Sequence, residues 1–183
     1  MEMGHSMSAE QAQRYLDLAN IEYGQDLVAL VENAGSPVAG ENTRQFSDGK
    51  PRLDMLGFAI AVGTATEISV SAKQPVRGSK LVLVRRCDSA TASLANLLKS
   101  QTREVTVQLS AFKASGDAFS PDQQPTLEIV VKKARISEMG FTTSSKFSGA
   151  CEVTAYEYEN LEIHSAPQVA SGQRGAVRIS TLA

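Results

Sequence analysis

The sequence predicts a mainly β fold: an antiparallel β-barrel of two packed sheets with one flanking α-helix, plus an extra N-terminal helix. Three observations predict it. From Asp26 onward, short apolar–polar alternations recur between segments rich in Gly, Pro, Asn and Ser. Residues 90–100 carry the one clear helical stripe in that region, at Leu94, Leu97 and Leu98. A single strand–helix unit is too little for a doubly wound α/β sheet, so an antiparallel barrel or sandwich is the better match.

Composition sets the outer limits. At 183 residues, 42% apolar and 21% charged, the chain has the material for one domain with a real core, which excludes wholesale disorder. Its 18 Lys+Arg against 20 Asp+Glu leave a formal charge of -2, so there is no sequence-wide pull towards nucleic acid or anionic lipid. With no Trp and 5% aromatic residues, platforms for stacking bases are sparse.

The elements follow in order. Ser8-Ala9-Glu10-Gln11 has the form of a capping box, Ala12, Tyr15, Leu16, Ala19 and Tyr23 share one helical face, and Gly24 is a stop. This predicts a helix over 8–23, which must dock to be stable because short isolated helices are marginal. Residues 1–24 are thus expected to be a helical extension, 25–164 the barrel domain and 165–183 a tail. Leu27–Val31 reads as a strand ended by Ala34-Gly35-Ser36-Pro37, and residues 36–51 as a long loop. A second strand is expected from Leu53 to Val62, with Leu53, Met55 and Gly57 facing one way and Leu56, Phe58 and Ile60 the other. A third is expected over 68–72 and a turn over 74–78. Lys80–Arg86 is the clearest strand, running into Asp88-Ser89 as a helix cap. Glu104–Ala111 alternates strictly, with Val105, Val107 and Leu109 inward. After a polar turn over 113–125, strands are expected at 127–139 and 151–164, with a Ser/Thr/Gly loop over 141–149 between them. In 151–164, Val153, Ala155, Leu161 and Ile163 fall on one face. A last short β-prone run covers 177–179.

The chemistry search returns no catalytic, cofactor-binding or metal site. His5 and His164 are the only histidines, and neither has a partner at ligand spacing. Cys87 and Cys151 are too few for a disulfide framework and read as reduced thiols rather than a bridge. No G-x-S-x-G element is present, and Thr143-Ser144-Ser145-Lys146 places Ser145 directly before Lys146 in a polar loop. Arg77-Gly78-Ser79-Lys80 lacks the upstream glycine of a phosphate cradle, and Lys80 opens a strand where such a cradle needs a helix. Glu152, Glu157, Glu159 and Glu162 read as solvated or salt-bridged strand residues. Arg85, Arg86, Lys132, Lys133 and Arg135 read as charges that protect strand ends or edges. No apolar run reaches the ~18 residues of a membrane span, and the N-terminus has neither a basic nor an apolar signal-peptide region.

The order of motifs resembles the haemolysin-coregulated protein (Hcp) family, the tube subunit of the bacterial type VI secretion system. The resemblance begins at Leu53-Asp54-Met55-Leu56-Gly57-Phe58. It is best over Lys80–Leu98, where Asp88 and Leu94 match the family's Asp-Lys-x-Ser-Pro-x-Leu helix opening while its Lys and Pro are replaced. It closes at Glu152-Val153-Thr154-Ala155-Tyr156-Glu157-Tyr158-Glu159-Asn160-Leu161-Glu162-Ile163, without the family's terminal Trp. The match spans roughly residues 26–164. It implies a non-enzymatic barrel without cofactors, assembled into homohexameric rings that stack into a tube. The implied partners are the secretion sheath, baseplate and spike components, and effectors in the lumen, with no nucleic acid and no membrane insertion. It also implies synthesis in the bacterial cytoplasm and secretion without a signal peptide. The strands at 127–139 and 151–163 are expected to contribute ring surface. In the family an extended loop near 36–51 reaches towards a neighbour, which makes Phe46, Arg44, Asp48 and Lys50 the candidate ring-stacking residues. The alternatives are an inner-tube protein of another contractile injection system or phage tail, or a small ligand-binding or enzymatic β-barrel.

Overall fold

The computed structural model describes residues 9–18, 25–64, 75–113, 124–144, 146–166 and 175–182. Two helices, α1 (Ala9–Leu18) and α2 (Ala90–Ser100), accompany β1 (Gln25–Asn33), β2 (Ser36–Pro37), β3 (Leu53–Asp54), β4 (Gly57–Ala59), β5 (Val62–Thr64), β6 (Val76–Gly78), β7 (Leu81–Arg86), β8 (Val105–Lys113), β9 (Leu127–Ser144), β10 (Phe147–Glu157), β11 (Asn160–Ser165) and β12 (Arg178–Thr181). The predicted class holds: the molecule is mainly β, antiparallel and built around one barrel, with α2 where the Leu94/Leu97 stripe placed it and α1 inside the expected 8–23 span.

The strands run β2-β1-β8-β9-β10-β7-β4, with β11 added to β9 and β12 to β11. β9 is long enough to serve two sheets. Its first part pairs with β8 and β11, and its second with β10, which in turn pairs with β7. Lys133, at φ 49°, sits where the β8 register shifts, between the Val107↔Val131 and Val105↔Ala134 pairs. A bulge of this kind bends a strand and lets it change partners. α2 packs on β9 beside that divergence, where the Gln101 side chain donates to the Ile136 carbonyl at 3.4 Å.

The barrel closes through a short seam. β3 pairs with β1 and β4 pairs with β7, so the 53–59 segment joins the two sheets. Two consecutive residues make the switch: the Met55 N–H donates to Leu27 O at 3.0 Å, and the Leu56 N–H to Val84 O at 2.7 Å. The single strand expected from Leu53 to Val62 is therefore three pieces, β3, β4 and β5, each with a different partner. Val76–Gly78, expected as a turn, is the strand that pairs with β5. The loop expected over 141–149 is largely the end of a β9–β10 hairpin. The strand expected over 68–72 lies outside the described residues.

The interior is filled by side chains from every wall, including Ala29, Val31, Leu81, Leu83, Val107, Leu109, Val131, Ile136, Tyr156 and Leu161, with Leu94 and Leu97 of α2. A separate cluster lies on the outside of β7 and β10, where Val82, Val84, Cys151, Val153 and Ala155 are covered by Ala12 and Tyr15 of α1. The one-face reading of 151–164 is thus corrected. Val153 and Ala155 point outward, whereas Leu161 and Ile163 join the main core, because the strand is interrupted at Tyr158-Glu159.

Candidate functional site

The long loop is where sequence and resemblance placed a site, and the structure gives it a definite form. Ala34 and Gly35, at φ 49° and 81°, turn β1 back on itself into β2. From there the chain crosses the outer face of β1 and β8. Val28, Leu30, Ser110 and Phe112 point away from the main core on that face, yet none is more than 3% exposed.

Local sequence shapes the loop. Asn42 accepts the Arg44 N–H at 2.7 Å and donates to Asp54 Oδ1 at 2.6 Å, an Asx turn that anchors the entry. Gly49, at φ 68°, donates its N–H to Phe46 O, and Asp48 accepts the Lys50 N–H, which folds 46–50 into a tight turn. The four candidate side chains are then brought together with partners the sequence did not name. Phe46 faces Phe112 of β8 with centroids 6.4 Å apart. The Arg44 guanidinium lies 5.0 Å from the Phe46 centroid and 4.6 Å from that of Phe112, and it pairs with Asp26 of β1. The Arg52 guanidinium covers Phe46 at 4.9 Å and holds Asp48 at 2.7 Å. Lys50 reaches Glu32 of β1 at 2.6 Å. Burial alone would raise the Asp48 carboxyl, but the Arg52 guanidinium and the Lys50 N–H outweigh it and hold Asp48 below the usual carboxylate range.

At its entry the loop meets a polar hub. Asp88 caps α2 by accepting the Ala90 N–H at 2.7 Å, while its own N–H donates to Thr91 Oγ1 at 3.1 Å. Its second oxygen accepts the Glu41 N–H at 3.2 Å. Ser89, the other half of the expected cap, makes no side-chain cap bond. Arg85 pairs with Asp88 and donates to Glu152 at 2.9 Å, with both Arg85 and Glu152 almost wholly buried. Burial pushes the Glu152 carboxyl up, whereas Asp88, which burial would also raise, is held down by Arg85 and the Ala90 N–H. Clefts of about 250 Å³ and 510 Å³ open beside this hub, lined by Glu41, Asp54 and Asp88 and by Asp26 and Asn42 respectively.

The other residues weighed from sequence are scattered. Arg85 is not a strand-end surface charge, as expected, but points into the barrel, because 81, 83 and 85 share the inner face of β7. Lys132 and Lys133 lie at the bulge between β8 and β11 and so protect no edge, whereas Arg135 lies on the part of β9 that pairs with β10. All three form cross-strand pairs, with Glu162, Glu159 and Glu157 at 2.6, 3.1 and 2.6 Å. Cys87 is half-buried and Cys151 buried, both are free thiols, and burial raises both pKa values. Cys151 lies opposite Arg86, on the α1 side of the sheet. Lys146 donates to the Asp17 carbonyl at the end of α1, and His164 lies 3.2 Å from Glu162. His5 and Ser145 lie outside the described residues. Among the described residues no group of three or more metal-ligating side chains comes together.

No protein-family model and no curated protein matches the chain. Solved structures do. A type six secretion system protein aligns with 85% of this chain and 92% of its own, at 18% identity and a TM-score of 0.67. Hcp1 from Salmonella typhimurium covers 86% and 93%, at 12% identity and 0.61. A mutant form of Hcp1 from the E. coli EAEC 042 pathovar covers 86% and 99%, at 8% identity and 0.63. The mainly β, antiparallel chain thus has the Hcp fold.

Proposed function

We propose that this chain is the structural subunit of a secreted tube, not an enzyme. Six copies close into a ring, rings stack, and the tube carries effectors for a type VI secretion system. The observation that carries this reading is the shared fold, which spans 85% of this chain and 92% of a type six secretion system protein. The packed interior supports it, since a barrel filled by its own side chains leaves no lumen for a small ligand among the described residues. Sheath, baseplate and spike components are the further partners. Synthesis takes place in the bacterial cytoplasm and export needs no signal peptide.

Unpaired strand edges supply the means of assembly. The β5–β6 ribbon is exposed along its whole length, with Val62 and Val76 at 45% and 39%. β12 pairs only with β11 among the described residues and shows Ile179 at 64%. Of the two strands expected to give ring surface, β10 is paired on both sides. Among the described residues the second part of β9 pairs with no strand but β10; Gln101 covers it at Ile136 and α1 lies against Thr142, while Phe141 is exposed. Edges of this kind are templates for a neighbouring chain, and contacts between two different patches generate rings when the rotation closes. Light scattering should give about six times the monomer mass, and electron microscopy should show annular particles. A monomer at micromolar concentration across salt conditions refutes the proposal. The loop is the proposed ring-to-ring joint, with Phe46 as its apolar anchor and Arg44, Asp48 and Lys50 around it. Deleting residues 40–49 should leave single rings and abolish tubes.

A further inference from the structure

The loop is fixed at its ends and latched in its middle. At the entry, buried Val38 donates its N–H to Val31 O and the Glu41 N–H binds Asp88; at the exit, Arg52 and Leu53 are buried. Between them, among the described residues, no backbone–backbone hydrogen bond joins residues 42–50 to the barrel. The Gly49–Phe46 bond is internal to the loop. What ties this stretch down are side chains: Asn42 to Asp54, Arg44 to Asp26, Phe46 against Phe112, and Lys50 to Glu32. It can lift without breaking a strand pair, at the cost of uncovering Phe112 and Val28.

One side chain cannot occupy two places. If Phe46 anchors the next ring, it must first leave Phe112 of its own subunit. We propose that the closed strap is an autoinhibited state of the stacking loop, with the Phe112 seat and the Arg44–Asp26 pair as the latch that competes with stacking. This rests on the stacking role proposed above. The two arginines stacked on Phe46 strengthen the latch, because they hold the phenyl group in place while Asp26 and Asp48 neutralise them. The occupant that replaces Phe112 is a second copy of this chain.

Phe46→Ala and Phe112→Leu weaken the same intramolecular contact but should act in opposite directions on tubes. Phe46→Ala removes the anchor and should leave only single rings in electron micrographs. Phe112→Leu keeps the anchor and weakens its seat. It should raise amide hydrogen exchange in 42–50 about tenfold and give longer tubes at equal protein concentration. Asp26→Asn, nearly isosteric and on a half-buried surface position, should do the same and stands in if Phe112→Leu folds poorly. Shorter or unchanged tubes in both latch variants, with Phe46→Ala still tube-less, overturn the latch and leave the stacking role intact. Normal tubes from Phe46→Ala overturn both.

Discussion

Asp88 is the residue on which most depends. It caps α2, partners a buried arginine and receives the loop at Glu41. Asp88→Ala should lower stability in urea by about 2–4 kcal/mol, since a lost cap and a buried guanidinium short of a partner act together. Ser89→Ala should change it by less than about 0.5 kcal/mol, because its hydroxyl caps nothing. Sequence pointed to this dipeptide as a cap but not to which member does the work. Arg85 and Glu152 were not legible as a buried pair, since Leu81-Val82-Leu83-Val84 is apolar on both faces of β7 and the apolar face of β10 turns outward. Their charge argued for the surface, and only the fold shows each to be the other's compensation. Asp48 gives the pH prediction. Its folded pKa is lowered, so its contribution is complete above the unfolded pKa and is lost as pH falls through the folded one. Asp48→Asn should therefore flatten the acid limb of a stability–pH curve below about pH 4 and leave the neutral limb level, as followed by thermal melts.

At the scale of elements, α1 and the loop play matching parts, each covering an apolar outer face of one sheet. α1 contributes fully buried Ala12, a hydrogen bond from Thr142 to Gln13, and the Lys146 bond to its last turn. Ala12→Glu should displace it and expose the strand face below. In a Cys87→Ser background, Cys151 should then react with a thiol reagent at least about tenfold faster than in the parent. An unchanged rate places the cover elsewhere. The helices were readable because a capping pattern and a 3.6-residue stripe are local signals. The 53–62 segment was misread because alternation reports which face is apolar, not which neighbour a strand has. Nothing in Met55-Leu56 announces that successive N–H groups bond to opposite sheets. The loop's length and its lone Phe46 were visible in the sequence. Its partners Asp26, Glu32 and Phe112 were not, because contacts between distant residues leave no periodic trace.

For the whole molecule, the dominant contacts are between distant segments. β1 pairs with β8 and β7 with β10, so loop-closure entropy must be met before most of the core forms. Refolding on the millisecond-to-second scale typical of non-local β topologies follows, and stopped-flow Tyr fluorescence measures it. The seam also has a mechanical meaning. A closed barrel is a hoop, and this hoop is narrowest where a two-residue and a three-residue strand meet around Met55 and Leu56. Tension around the hoop falls there on a few hydrogen bonds, whereas β9 and β10 share a long ladder. A subunit pulled outward, as it would be in the proposed tube, should part first at this joint, opening like a clasp while the opposite wall stays whole.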